Sequence, residues 1–133
     1  MSVIAPGSLA GRVDPRPILV VDDDVSVRRT MAKFFAVEGF AVIEADNGQE
    51  ALTYLRGGGD ARVILLDLRM PVMDGWAFRR EQRLDPRLAH IPVIVLSGAD
   101  ADRFSELDAM GAFEKPVSLS RITELVRGLP AST

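Results

Sequence analysis

At 133 residues and 47% apolar composition, the chain is long enough for one domain that buries roughly 68–70% of its unfolded surface. A net charge of −3 makes nucleic acid and anionic membrane poor default partners, and no apolar run approaches the ~18 residues a bilayer span needs. Cysteine is absent, which excludes a disulfide framework, thiolate chemistry and cysteine-held zinc, and fits a reducing cytoplasm.

Met1–Pro17 is rich in Gly and Pro and lacks the apolar centre of a secretory signal, so it reads as a mobile leader before a domain spanning 18–129. Ile18-Leu19-Val20-Val21 is apolar throughout and runs directly into Asp22-Asp23-Asp24. Such a run predicts a strand buried on both faces, as inside a parallel sheet. Asp24 suits the N-cap of a helix over Val25–Glu38, with Val27, Met31, Phe34 and Phe35 on one stripe and Gly39 at the stop. Arg28 and Arg29 of this helix read as a solvated face. Phe40–Ala45 alternates as a second strand. Asn47-Gly48-Gln49-Glu50 resembles a capping box that opens a helix through Leu55, and Gly57-Gly58-Gly59 ends it.

Val63–Leu66 is the third strand and ends in the carboxylate of Asp67. A sharp turn follows from Leu68 to Gly75, in which Asp74-Gly75 is turn chemistry that starts the helix Trp76–Leu84. Asp85-Pro86 closes that helix, and His90 belongs to the turn before the fourth strand, Pro92–Leu96. Ser97-Gly98 ends this strand. A polar helix is predicted from about Asp102 to Met110, then a short fifth strand, Ala112–Glu114. Lys115-Pro116 leads into the last helix, Ser118–Leu129, with Pro130–Thr133 as a tail.

Alternating strands and helices without internal repeats predict an α/β doubly wound parallel sheet, whose reactive crevice lies at the carboxyl ends of the strands. Asp22 and Asp23, Asp67, Ser97 and Lys115 each follow an apolar strand and so converge on one edge. Clustered carboxylates repel each other, and a divalent cation is the usual reason for keeping them together. Lysine is scarce, occurring only as Lys33 and Lys115 while arginine is plentiful. A lone lysine at this edge suggests that a small, flexible ammonium is required there.

With these marks in this order, Ile18 to about Leu129 resembles the receiver domain of bacterial two-component response regulators. The motifs that carry the likeness are the Asp22-Asp23 pair, Asp67-Leu-Arg-Met-Pro-Val-Met-Asp-Gly75, Ser97 and Lys115-Pro116. The resemblance implies a flavodoxin-like, five-stranded sheet of order 2-1-3-4-5 with helices on both faces. It implies a phosphoacceptor module, modified on Asp67 by a histidine kinase or histidine phosphotransfer protein and passing the signal to an unknown downstream protein. A carboxylate can attack phosphorus, but two anions must then approach each other, and Mg²⁺ neutralises them. The resemblance assigns Asp23, Asp67 and the backbone carbonyl of Arg69 as metal ligands, with Asp22 acting through water. Ser97 and Lys115 would contact phosphoryl oxygens, and the Lys115-Pro116 bond would be cis. On this reading the protein is cytoplasmic and no metabolic enzyme; it only assists its own phosphorylation and dephosphorylation.

The chain also departs from the family pattern. The stretch from Ser97 to Lys115 is several residues short, and the position of the family's switch aromatic falls on Ala112, with Phe113 beside it. These departures move the expected conformational response to Gly98–Met110, with Phe104 and Leu107 exposed. Only Pro130–Thr133 follows the last helix, as in a stand-alone receiver or a module cut from a longer protein. One rival reading is a receiver-like docking module that works without phosphorylation. Another is a small phosphatase of the haloacid dehalogenase type, suggested by Asp22-x-Asp24, although it leaves Asp67 without a task.

Overall fold

The computed structural model describes residues 14–97, 107, 109–114 and 118–129. Within them each apolar run forms a strand: β1 (Ile18–Val21), β2 (Val42–Ala45), β3 (Val63–Asp67), β4 (Val93–Ser97) and β5 (Gly111–Glu114). Four helices are described with them, one after each of β1, β2, β3 and β5: α1 (Val25–Val37), α2 (Gly48–Arg56), α3 (Gly75–Leu84) and α4 (Leu119–Arg127). The strands pair in parallel in the order β2-β1-β3-β4-β5. This is the doubly wound, flavodoxin-like order expected.

The continuous apolar runs are explained by two core layers, one on each face of the sheet. Leu19, Val21, Ile64, Leu66, Val93 and Val95 point toward α2 and α3, where Leu52, Leu55 and Phe78 meet them. Ile18, Val20, Val63, Leu65, Ile94 and Leu96 point the other way, toward Met31 and Phe35 of α1 and Ile122 and Val126 of α4. Side chains alternate along a strand, so a strand covered on both faces has no polar position to offer. Edge strand β2 is only half-covered and admits the exposed Glu44.

Local signals set the helix ends. Asp24, Asn47, Asp74 and Ser118 accept from the amide three residues on, at the N-caps of α1, α2, α3 and α4. In α2 the box is shifted by one residue, because Glu50 Oε1 accepts from the amide of Asp46 at 2.7 Å rather than from Asn47. At the end of α1, Gly39 adopts φ +99° and the Phe40 amide reaches back to the Phe35 carbonyl at 3.0 Å. Gly58, at φ +100°, ends α2 in the same way.

Two side-chain expectations are corrected. The buried stripe of α1 runs through Arg28, Met31 and Phe35, while Val27 is on the exposed side. Residues 28 and 35 are seven apart and lie on one face with Met31 between them, whereas 27, eight before Phe35, falls at the edge of that face. Leu107, expected to be exposed, is 2% exposed and belongs to the α2–α3 core layer. Its carbonyl accepts from Nε of the buried Arg79 at 2.7 Å. The Met110 amide donates to Val93 at 2.9 Å, so by residue 110 the chain has joined the sheet. Ala109 and Met110, the end of the expected helix 102–110, are not helical, and Ala109 packs against the same core layer. Residues 102–106, with Phe104, and 108 lie outside the described residues, as does Lys115-Pro116.

At the opposite end of the sheet from the strand carboxyl termini, the fold draws in residues 14–17 of the segment read as leader. The Asp14 side chain is 1% exposed, with Arg16 Nη2 at 2.7 Å and Arg62 Nε at 3.7 Å. Pro17 accepts from the Arg62 amide at 2.7 Å. Burial alone would raise the Asp14 carboxyl, but the hydrogen bonds from Arg16 and the charges of Arg16 and Arg62 outweigh it and hold the group below its ordinary 3.8. Among the described residues no helix is long and apolar enough to cross a membrane.

Asp14 should therefore leave a pH signature. Its depressed folded value makes its stabilisation complete above the unfolded value of about 3.9, and lost as pH falls through the lower folded value. Asp14→Asn should lower the unfolding free energy by ~1–3 kcal/mol at neutral pH. In urea unfolding from neutral pH downward, wild type and variant should converge below about pH 4. A gap that stays constant into acid would show that the Asp14 charge contributes nothing.

Candidate functional site

The register of the sheet builds the site. Val21 pairs with Leu66, and Leu66 with Val95, so the residues leaving β1 and closing β3 reach the sheet edge side by side. Asp22, the next residue after β1, thereby comes beside Asp67, the last of β3. Carboxylate oxygens of Asp22, Asp23 and Asp67 all lie within 4.8 Å of one another. Asp22 and Asp67 are 0% and 5% exposed, while Asp23 faces solvent. The cluster is thus walled by protein on one side and open on the other.

The turn carrying Asp22 and Asp23 is held by its own polar groups. The Asp22 amide donates to Ala45 at 3.1 Å, and Asp22 Oδ1 accepts from the Asp24 amide at 2.9 Å. On the other side, the Leu68 amide donates to Leu96 at 3.3 Å, carrying the ladder one residue past Asp67. The Gly75 amide returns to the Leu68 carbonyl at 2.9 Å. A Cβ at Gly75 would fall 2.6 Å from the Asp67 carbonyl oxygen, so any side chain would push α3 off the end of β3.

Between Leu68 and Gly75 the backbone is tight. The Met73 amide donates to Pro71 at 2.8 Å across Val72, which has φ +71°. This is a γ-turn of the rarer, positive-φ kind, and a β-branched residue in it is strained. The Gly48 amide, at the start of α2, donates to the Met73 carbonyl at 3.0 Å. A Cβ on Gly48 would meet Met73 at 2.9 Å, so this glycine lets the turn rest on α2. Arg69 is exposed in the same turn, two residues after Asp67. Trp76 packs against the α2–α3 core layer just past the turn.

Among the sequence-predicted residues, Asp22, Asp23 and Asp67 are brought together and Arg69 lies in the adjoining turn. Ser97 ends β4 opposite Glu114 of β5, at the same edge of the sheet. The Ser97 side chain and Lys115 lie outside the described residues. Ala112 is exposed, and Phe113 packs on the α1–α4 side of the sheet. Sequence reasoning missed Arg28, whose guanidinium Nη1 donates to the Asp22 carbonyl at 2.9 Å. Its place on the Met31–Phe35 stripe was the available signal.

Three clustered carboxylates form a hard, all-oxygen donor set with few protein ligands, which suits Mg²⁺ with retained waters better than a dedicated Ca²⁺ cage. The sequence pattern of the response regulator receiver domain matches residues 18–127. The chain belongs to that family. This receiver is 31% identical to a response regulator receiver protein from Pseudomonas putida, with a TM-score of 0.79, covering 88% of this chain and 100% of that one. It is 26% identical to the chemotaxis response regulator CheY4 of Vibrio cholerae, with a TM-score of 0.75, covering 84% and 96%. Among curated proteins, it is 36% identical to the regulatory protein AtoC of Escherichia coli over 83% of this chain and 24% of that protein. Likewise it is 33% identical to the CpxR homolog of Haemophilus influenzae, over 83% and 50%. The chain spans half the length of these curated relatives or less. Receiver domains generally bind Mg²⁺ at an acidic pocket, and in this chain Asp22, Asp23 and Asp67 form an acidic cluster at the strand ends.

The strained turn gives a direct test of the backbone geometry. Val72 is 82% exposed, so its side chain loses little packing when removed. Relief of positive-φ strain, roughly 1–3 kcal/mol, should exceed the ~0.5–1 kcal/mol entropic cost of glycine. Val72→Gly should raise the melting midpoint. A drop of the size ordinarily seen for glycine in a rigid loop would mean that Val72 is unstrained.

Proposed function

We propose that this receiver accepts a phosphoryl group on Asp67 from a histidine kinase or histidine phosphotransfer protein, in the presence of Mg²⁺. The observation that carries the reading is the convergence of Asp67 with Asp22 and Asp23 within 4.8 Å at the strand ends. An Asp67 carboxylate oxygen attacks phosphorus, a new O–P bond forms, and the P–N bond of the phosphohistidine donor breaks. The leaving imidazole nitrogen takes up a proton. When bound, Mg²⁺ supplies positive charge that lets the anionic carboxylate and phosphoryl group approach.

The chain's own residues supply position. Asp23, Asp67 and the Arg69 carbonyl are the proposed direct ligands, and Asp22 acts through water. Ser97 and Lys115 are the proposed partners of phosphoryl oxygens, as hydroxyl donor and point charge. Gly75 keeps α3 against the end of β3 and so fixes the backbone at Asp67. The protein acts on its own aspartate and is no metabolic enzyme. Its absence of cysteine and its membership of a two-component family support a cytoplasmic place of action. The downstream partner is a protein that reads the phosphorylated state.

Incubation with a small-molecule phosphodonor such as acetyl phosphate and Mg²⁺ should add one acid-labile, hydroxylamine-sensitive phosphoryl group. Peptide mapping should place it on Asp67, and Asp67→Asn should abolish it. Mapping to Asp22, or labelling that survives Asp67→Asn, would favour the phosphatase chemistry instead. No labelling by any donor would favour a docking module.

A further inference from the structure

Arg28 lies one turn into α1, on the face turned toward the sheet, and is 6% exposed. A buried guanidinium is tolerated when its charge is matched and its donors are used. Here Nε donates to Glu44 Oε1 on β2 at 2.9 Å. Nη1 donates to the main-chain carbonyl of Asp22 at 2.9 Å and lies 2.7 Å from Asp46 Oδ1. The Asp46 amide in turn donates to Glu50 Oε1 at 2.7 Å, which links the group to the start of α2. Arg28 therefore joins α1, the end of β1 and the end of β2.

We propose that Arg28 is a positioning residue for the acid cluster. It grips the main-chain carbonyl of Asp22 and holds the β1–α1 turn where Asp22 and Asp23 converge with Asp67. The inference rests on the metal-binding reading given above. Two effects of Arg28 on a bound cation have opposite signs. As a positive charge it would weaken cation binding, so its removal would tighten the site. As a clamp it preforms the ligand pair, so its removal would loosen the site. The contacts favour the clamp. Glu44 and Asp46 set two carboxylates against Arg28 and the exposed Arg29, which also pairs with Glu44 at 3.3 Å, so the group balances its own charge and leaves little net positive charge to act on the cluster. The bond to the Asp22 carbonyl, by contrast, acts directly on the chain that carries both acids.

Arginine rather than lysine is required, because a planar fork reaches the Asp22 carbonyl and Glu44 at once while an ammonium is a single point. Removing an outer-shell partner of this kind typically costs 10–100-fold in metal affinity. The test is Mg²⁺ titration of wild type, Arg28→Gln and Arg28→Lys, read by Trp76 fluorescence and calorimetry. Amide hydrogen exchange at residues 22–24 without metal is measured in parallel. Arg28→Gln should weaken Mg²⁺ binding by ~10-fold and speed exchange at the Asp24 amide. Arg28→Lys, which keeps the charge, should still bind several-fold more weakly than wild type, and it decides the matter if Arg28→Gln does not fold. Wild-type or tighter affinity in Arg28→Lys, with unchanged exchange, would overturn the positioning role. A wild-type protein that binds no Mg²⁺ would remove the metal-binding reading itself, and this inference with it.

Discussion

Mutual repulsion among three carboxylates is the constraint on which the rest of this molecule depends. Carboxylate oxygens of Asp22, Asp23 and Asp67 lie within 4.8 Å of one another, and at an effective dielectric of about 20 a charge pair at that distance repels by about 3.5 kcal/mol, less where Asp23 meets solvent. That is a sizeable fraction of the roughly 5–15 kcal/mol that holds a domain together. A soft scaffold would simply let the acids drift apart. Here the two acidic segments leave adjacent parallel strands whose side chains are buried on both faces, so drift would require the sheet to move.

The surrounding polar groups oppose the same drift. Arg28 binds the Asp22 carbonyl, and Gly75 lets the start of α3 rest against the Asp67 backbone. Gly48 does the equivalent for the strained turn at Val72. Further out, the buried Gln82 donates to the carbonyls of Leu88 and Ile91 at 2.9 and 3.0 Å and accepts from Arg79 at 2.6 Å. Arg79 also holds Leu107, so α3 ties down both the chain entering β4 and part of the chain leading to β5. The Asp14–Arg16–Arg62 group lies at the far end of the sheet, where it adds rigidity without adding charge to the acid cluster.

Most of the architecture was legible because it follows from periods and end signals. Continuous runs such as Val63–Leu66 admit few readings, and Asp24, Asp74 and Gly39 announce the helix ends through their own backbone chemistry. The acids of the site were legible for the same reason, since each follows a buried strand and the parallel register aligns the strand ends. What escaped depends on contacts between residues far apart in sequence. Arg28 looks like a surface arginine until Glu44 and the Asp22 carbonyl are brought to it. Leu107 lies in a polar stretch that predicts exposure, yet a buried arginine from α3 draws its backbone into the core. Asp14 follows a Gly/Pro-rich stretch; Arg16 bonds it locally, but the tie to the sheet comes from Arg62, in the loop before β3. Val72 carries no mark of its positive φ, because its conformation is imposed by the turn from Pro71 to Met73.

The central claim is that the clustered acids oppose folding by themselves and are reconciled by a divalent cation. Thermal unfolding of wild type and Asp23→Asn, each with and without Mg²⁺, tests it most directly. An ion that binds only the native state stabilises it by mass action, whereas neutralising one acid relieves repulsion without any ion. Without Mg²⁺ the variant should melt at the higher temperature. Added Mg²⁺ should raise the wild-type midpoint and leave the variant nearly unmoved. A wild type that is already the more stable protein without Mg²⁺, and that does not respond when Mg²⁺ is added, would contradict the account.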